Sequence, residues 1–214
     1  MSLYYQDDFV TLYHGDCLTE HREWLTADVL VTDPPYGMNA ALTRSAIDVP
    51  IANDHNTDAR DKALEMWGND RSAITFGHWR KPRPEGVTHL AIWDKVHQAL
   101  GAPTSPFATN HEEIYLLGKR PKWSGGRRQT VLRFPVPLGA SRPDHPTPKP
   151  IGLMEFLVGI TKGPIADPFA GSGATLVAAK NLGRQAIGVE LEEKYCEIIA
   201  KRCAQEVLDF GGVA

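Results

Sequence analysis

The sequence predicts an α/β fold in which a mainly parallel sheet is covered by helices on both faces. Short apolar strand-like segments alternate with helical segments along most of the 214 residues, and this alternation is typical of parallel sheets. In the second half, one strand leads through a glycine loop into a helix, as in α/β domains that bind ligands at strand ends. The length fits a single domain over residues 1–214.

The periodicity of the apolar residues places the individual elements. In the first half it predicts strands at 9–13, 28–32, 72–76, 90–93 and 113–117, and helices at 19–25 and 59–68. Weak periodicity predicts a long loop over 37–60. In the second half we expect a helix at 150–161, a strand at 164–167, a helix at 173–182, a strand at 185–190 and a helix at 192–208.

The composition argues against several classes of protein. No apolar segment reaches the length of a membrane span, and the N-terminus lacks a basic segment followed by an apolar one, so we expect a cytoplasmic protein. The cysteines, Cys17, Cys196 and Cys203, are odd in number and form no Cys-x-x-Cys pair. We therefore expect buried thiols, with neither a disulfide framework nor a metal site.

The charge distribution is uneven although the net charge is only −3. From Ile114 to Pro143 there is no acidic residue, while basic residues recur throughout the segment. This asymmetry predicts contacts with nucleic-acid phosphates from Lys119, Arg120, Lys122, Arg127, Arg128 and Arg133. A smaller basic cluster lies at 78–83.

The tetrapeptide Asp33-Pro34-Pro35-Tyr36 follows an apolar strand and carries the most specific chemistry in the chain. The prolines have no N–H donor, so the carboxylate and the loop carbonyls are left to accept hydrogen bonds from a ligand. Tyr36 adds an aromatic face on which a planar ring can stack. This combination predicts a site for an exocyclic NH2 group on a flat ring.

A second motif lies at 167–173, where Asp167 ends a strand and Gly171-Ser172-Gly173 leads into a helix. Glycines allow a ligand to approach the backbone closely, and the first N–H groups of a helix are free to bind it. The next strand ends at Glu190, whose carboxylate can accept both hydroxyl protons of a ribose. Leu176 occupies the position of the third glycine of a dinucleotide motif, so a nucleoside is favoured over NAD.

Taken in order, these motifs resemble the β class of amino-methylating DNA methyltransferases, in which the catalytic motif precedes the cofactor motif. The similarity spans roughly residues 9 to 203 and includes three further segments: 12–18, 110–115 and 145–150. It implies a circularly permuted class I fold that uses S-adenosylmethionine. The domain would then comprise a catalytic half at about 1–118, a basic loop at 119–143 and a cofactor-binding half at 144–208.

The resemblance also implies roles for single residues. Asp33, Pro34, Pro35 and Tyr36 would hold the target amine. Asp16 would bind the adenine amine of the cofactor and Glu190 its ribose. Lys149 would reach the carboxylate of the cofactor, and its methionine part would lie beside Asp167, Phe169, Gly171, Ser172 and Gly173.

The segment between the two halves is shorter than in larger members, which insert a separate target-recognition region there. Either a short recognition region lies within 119–143, or the specificity for DNA sequence is relaxed, or another chain supplies it. We expect double-stranded DNA as the partner, with a homodimer and a restriction endonuclease or specificity subunit as further possibilities.

Three classes of function stay open. DNA adenine-N6 methylation is favoured because aspartate at position 33 is commoner for adenine, whereas serine there indicates cytosine N4, the runner-up. Methylation of RNA or of a protein glutamine amide is disfavoured, since such enzymes more often carry asparagine there. A non-catalytic nucleic-acid-binding subunit is the third class, and the intact motifs argue against it.

Overall fold

The structure is a computed structural model and describes residues 2–37, 55–96, 106–107, 109–119, 123–137 and 148–205. Within these residues, strands from both halves of the chain join one nine-stranded sheet in the order β1-β2-β9-β8-β3-β4-β6-β5-β7. The strands are β1 (Ser2–Gln6), β2 (Val10–His14), β3 (Val29–Thr32), β4 (Ala73–Gly77), β5 (Val87–Asp94), β6 (His111–Leu117), β7 (Val131–Arg133), β8 (Ile165–Asp167) and β9 (Ala186–Glu190).

Most of the sheet is parallel, as predicted. β1 and β6 run opposite to the other strands. The central strands β3 and β8 are buried along their whole length, which explains why they are apolar up to Thr32 and Asp167 at their ends. The carboxyl ends of β2, β9, β8, β3 and β4 therefore meet at one edge of the sheet, together with the start of β6.

In the described residues, three α-helices lie between strands: α1 (Asp58–Trp67), α2 (Ile151–Gly159) and α3 (Ala174–Asn181). A further helix, α4 (Glu193–Ala204), follows β9. In α4 the buried residues Cys196, Ile199 and Cys203 recur at helical spacing and form one apolar face. All three cysteines are free and buried, as expected. Among the described helices, none is both long and apolar enough to cross a membrane.

The predicted helix at 19–25 is wrong, because only a 3-10 helix (Glu23–Thr26) forms there. The Asp16 carboxylate accepts the N–H of Leu18, and the Asp16 carbonyl accepts those of Glu20 and His21. These bonds wind the chain into a turn where the helix was expected to begin.

Two strands were not predicted. β1 is an edge strand paired only with β2, and β7 is a three-residue strand inside the segment expected to be a loop. The other helices and strands lie where the sequence placed them, within a few residues. The predicted loop at 37–60 falls largely on residues 38–54, which lie outside the described part of the chain.

Candidate functional site

The site lies at the sheet edge where five parallel strands end, as in other open α/β sheets. Asp33 follows β3, Asp167 ends β8 and Glu190 ends β9. These three strands belong to the adjacent series β9-β8-β3, so the sheet brings together the two motifs of the sequence.

A buried hydrogen bond joins the two motifs directly. Thr32 Oγ1, one residue before Asp33, donates to Asp167 Oδ1 over 2.7 Å. The same carboxylate oxygen accepts the backbone N–H of Phe169 over 3.2 Å. Burial raises the pKa of Asp167, although these donors counteract the shift.

The Asp33 carboxylate is bonded through Oδ2 to the ammonium group of Lys149. Lys149 Nζ also lies 3.3 Å from Glu112 Oε2, and Glu112 Oε1 lies 2.7 Å from Lys95 Nζ. The other carboxylate oxygen, Asp33 Oδ1, is buried and accepts no hydrogen bond from the described residues. Such an atom is a ready acceptor for a donor that arrives with a ligand.

The pKa values in this cluster reflect both burial and charge. Burial raises the pKa of Asp33 to about 6, against the lowering effect of Lys149. Burial would also raise the pKa of Glu112, but Lys149 and Lys95 outweigh it and hold that pKa below its ordinary value. Burial would lower the pKa of Lys149, but Asp33 and Glu112 raise it. Near neutral pH Asp33 and Glu112 are therefore ionised and Lys149 is protonated.

The rest of the tetrapeptide packs against the fold. Pro34 is buried, whereas Pro35 and Tyr36 are half-buried. Tyr36 contacts the hydrophobic core that fills one side of the sheet. Gly37, next in sequence, has φ +81°, a value that glycine adopts without the strain of a side chain.

The glycine loop is held by the neighbouring strand and helix. The N–H of Ala170 donates to the carbonyl of Val189 over 3.0 Å, and Gly173 begins α3 with φ +81°. Behind the loop, Arg202 of α4 donates to the carbonyl of Ser172. A Cβ at Gly173 would lie 2.8 Å from Ile199, so only glycine fits there without rearrangement.

Glu190 is tied into the same loop. Its Oε2 accepts the N–H of Gly171 over 2.7 Å, and its Oε1 accepts that of Glu192 over 2.9 Å. Each oxygen keeps a second lone pair for a ligand hydroxyl. Burial raises the pKa of Glu190 to about 7, although both N–H groups counteract it.

Asp16 lies just past the end of β2, on the far side of β9 from the glycine loop. The N–H of Gly15 donates to the Glu190 carbonyl over 2.9 Å, which holds the two strand ends together. Three acids therefore line neighbouring strand ends, from Asp16 through Glu190 to Asp167.

The described basic residues that were predicted to bind DNA, Lys119, Arg127, Arg128 and Arg133, do not all lie at one edge of the sheet. Lys119 follows the end of antiparallel β6, at the opposite edge of the sheet, and pairs with Asp70 over 3.1 Å. Arg127 is exposed, and Arg128 stacks over Phe156 of α2 at 5.3 Å. Of these described residues, Arg133, which ends β7, lies at the edge that carries Asp33, with its Nε 3.3 Å from Asp94 Oδ2. Arg120 and Lys122 lie outside the described residues.

The smaller basic cluster at 78–83 does lie beside the site, because it follows the end of β4. Trp79 is 54 % exposed and stacks on His78, with the Arg80 guanidinium 4.9 Å above its ring. A Cβ built on Gly37 would lie 3.1 Å from Lys81 Nζ, so this ammonium group borders the tetrapeptide.

Comparison with known proteins assigns the family. A family model described as DNA methylase, of the N6/N4 methyltransferase type, matches residues 79–201, more than half of the chain. The type II methyltransferase M.HinfI of Haemophilus influenzae is 41% identical over 247 aligned residues, covering 92% of this chain and 69% of that protein. The chain belongs to the DNA methylase family.

Solved structures show that this DNA methylase has the fold that the resemblance implied. The M1.HpyAVI–SAM complex matches with a TM-score of 0.68 at 21% identity, covering 92% of this chain and 100% of that one. The cytosine-N4-specific PvuII DNA methyltransferase matches with a TM-score of 0.70 at 15% identity, covering 96% and 90%. The class I methyltransferase fold is thus confirmed.

Glu112 and Lys95 of this DNA methylase were not singled out from the sequence. Glu112 lies near the start of β6 and Lys95 directly follows β5, so each is a charged residue next to the apolar part of a strand, which is the available signal. The pairing of Glu112 with both Lys149 and Lys95 depends on the position of β6 and β5 in the sheet, which the sequence does not reveal.

Proposed function

We propose that this protein transfers a methyl group from S-adenosylmethionine to the exocyclic N6 of adenine in double-stranded DNA. The observation that supports it most directly is Asp33 Oδ1, a buried and unpartnered acceptor within the described residues, one residue from the Thr32–Asp167 hydrogen bond. The proposal extends the family membership to a specific base and to specific residues.

The acids at the strand ends suit the donor groups of the cofactor. We assign Glu190 to the ribose hydroxyls, Asp16 to the adenine amine, and Asp167 with Phe169 and the loop Gly171–Gly173 to the methionine part. Each acid would accept hydrogen bonds from donor groups of S-adenosylmethionine. Gly171 and Gly173 would let the cofactor approach the backbone. S-adenosylmethionine supplies the methyl group: an N–C bond forms as the S–C bond breaks, and the electron pair of that bond stays on sulfur.

The tetrapeptide would prepare the amine for this transfer. The lone pair of an adenine amino group is delocalised into the ring, so the amine is a poor nucleophile. Asp33 Oδ1 and the carbonyl of Pro34 would each accept one of its N–H groups, which concentrates electron density on the nitrogen. Tyr36 would stack on the base, which must leave the duplex to reach the site. After transfer the nitrogen must lose one proton, and Asp33, with a pKa of about 6, is placed to receive it before release to water.

The DNA would lie against the sheet edge that carries Asp33. Trp79, Arg80, Lys81 and Arg133 lie at that edge and offer an aromatic face and positive charge to bases and phosphates. Lys119 lies at the opposite edge, and the exposed Arg128 lies over the ring of Phe156 in α2. The geometry therefore supports the predicted DNA contacts of Arg133 and not those of Lys119.

Cytosine N4 is the second candidate, because the amine of cytosine has the same delocalised lone pair and the same two N–H donors. The similarity in fold to the cytosine-N4-specific PvuII enzyme keeps it in consideration. We favour adenine because the acceptor at position 33 is aspartate.

One experiment shows which base is methylated and whether the substrate is DNA or RNA. The full chain is incubated with labelled S-adenosylmethionine and either plasmid DNA or total RNA, and the digested nucleosides are identified. We expect label in N6-methyladenine from DNA. Label in N4-methylcytosine would replace adenine by the second candidate, and label in RNA alone would overturn the proposal.

A further inference from the structure

We propose that Lys149 is a positioning residue for Asp33, held in place by Glu112, and is not a ligand of the cofactor carboxylate. The inference rests on the proposed function and assigns roles to the four-residue cluster of Asp33, Lys149, Glu112 and Lys95. It replaces the role that the family resemblance implied for Lys149.

The contacts of Lys149 leave little room for a cofactor. Its ammonium group is bonded to Asp33 Oδ2 and lies 3.3 Å from Glu112 Oε2. The remaining sides face aromatic rings, with the centroids of Phe76 and Trp93 at 4.8 and 5.9 Å. A cofactor carboxylate would have to displace one of these two buried carboxylates.

Exposure points the same way. The Lys149 side chain is 4 % exposed, whereas that of Asp33 is 23 % exposed. A ligand that enters the site therefore meets the Asp33 side chain before it meets the ammonium group of Lys149. Because Lys149 occupies Oδ2, the amine of the base is left with Oδ1, the buried oxygen that no described residue bonds.

The arrangement also sets the charge of Asp33. Charged and titratable groups reach it from several elements: Lys149 before α2, Glu112 on β6 and Asp167 at the end of β8, with Lys95 after β5 and His78 after β4 behind Glu112. Lys149 favours the ionised carboxylate, whereas burial, Glu112 and Asp167 oppose it. Asp33 must be ionised to accept an N–H and then a proton, so Lys149 keeps it active near neutral pH.

This balance predicts pH shifts of opposite sign for two substitutions. Lys149→Met removes the positive charge that favours the ionised carboxylate of Asp33. The acidic limb of the pH–rate profile for methylation should therefore move to higher pH by about one unit or more. Glu112→Gln removes a like charge from Asp33, so the limb should move to lower pH. General damage to the site would not move the two limbs in opposite directions.

The test measures the methylation rate of the full chain on DNA between pH 5 and 9 with saturating S-adenosylmethionine. S-adenosylhomocysteine affinity is measured in parallel by calorimetry. The matched control is Lys180→Met, since Lys180 pairs with the carboxylate of Asp7 away from the strand ends that form the site. We expect an unmoved limb for Lys180→Met, and affinity for S-adenosylhomocysteine within about threefold of the unsubstituted chain for Lys149→Met.

A tenfold or larger loss of affinity in Lys149→Met with an unmoved limb would overturn the proposal and restore the cofactor role. If Lys149→Met does not fold, Glu112→Gln decides: a downward shift supports the proposal and an unmoved limb overturns it. An unsubstituted chain that binds S-adenosylhomocysteine but methylates no DNA would instead refute the proposed function, and the role of Lys149 with it.

Discussion

Thr32 and Asp167 are 135 positions apart in the chain, yet Thr32 Oγ1 donates to Asp167 Oδ1 over 2.7 Å in the buried centre of the sheet. Thr32 precedes the tetrapeptide that we assign to the target base, and Asp167 begins the loop that we assign to the cofactor. This bond therefore holds the proposed base site and the proposed cofactor site next to each other, at the ends of the adjacent strands β3 and β8.

Thr32→Val tests this connection. Valine has the shape of threonine without the hydroxyl donor, so a buried oxygen of Asp167 loses one of its partners. We expect the free energy of unfolding to fall by about 1–3 kcal/mol, measured by urea denaturation. The control is Thr88→Val on β5, where an exposed hydroxyl donates to the Leu116 carbonyl, and a change of less than about 1 kcal/mol is expected. Equal losses in both variants would refute a special role for Thr32.

Glu190→Ala should weaken cofactor binding. The substitution removes the proposed acceptor of the ribose hydroxyls and the anchor of the Gly171 N–H. We expect affinity for S-adenosylhomocysteine to fall by about tenfold or more, because each lost hydrogen bond to a charged group contributes about 1.5 kcal/mol or more. Calorimetry measures this affinity. Unchanged affinity in a folded variant would remove Glu190 from the cofactor site.

Glu190 should also make nucleoside binding depend on pH. Its pKa is raised to about 7 in the folded protein from an ordinary value of 4.5, so its carboxylate gains a proton as the pH falls through 7. The ionised form is the better acceptor of hydroxyl protons. Affinity should therefore fall below pH 7 and level off above it.

Methylthioadenosine suits this measurement because it keeps the ribose and the adenine but lacks the titrating amino-acid group. Its affinity is measured between pH 5.5 and 8.5. A flat profile would contradict the raised pKa or the contact with the ribose.

The same raised pKa affects stability. A folded-state pKa above the unfolded value means that the folded protein binds the proton more tightly, so this contribution is present below pH 4.5 and is lost as the pH rises through 7.

Paired substitutions at two places test whether DNA binds at the sheet edge that carries Asp33 or at the segment before β7. Arg80→Gln with Lys81→Gln removes two charges that follow β4, at the sheet edge that carries Asp33, whereas Arg127→Gln with Arg128→Gln removes two charges from the segment before β7. We expect the first pair to reduce the slope of log affinity against log salt concentration by about 2, at roughly 0.9 per phosphate contact. The second pair should change it less. Fluorescence anisotropy with duplex DNA measures both slopes. The opposite ranking would place the DNA at the segment before β7.

Much of the fold was predictable because the central strands are short and apolar up to the polar or charged residue that ends each of them. The burial of β3, β8 and β9 matches the hydrophobic segments that identified them. Edge strands such as β1 and β7 lack that signal, because they need not be apolar on both faces. The Asp16 turn also replaced a helix that the local periodicity suggested.

The candidate site was predictable where chemistry is concentrated in one segment. Each of the two motifs, Asp33 to Tyr36 and Asp167 to Gly173, is a short continuous segment whose residue types indicate its chemistry. The contact between Asp33 and Lys149 joins positions 116 apart, and Glu112 enters the cluster only because antiparallel β6 pairs with β4. Such long-range ion pairs follow from the sheet order and not from local spacing.

The most direct test of the account compares methyl transfer and cofactor binding in Asp33→Ala. We predict that transfer to DNA falls by about a hundredfold to a thousandfold, while affinity for S-adenosylhomocysteine stays within about threefold of the unsubstituted chain. That outcome would show that Asp33 serves the base and not the cofactor. A parallel loss of cofactor affinity, or methyl transfer that persists without the carboxylate, would contradict the central claim.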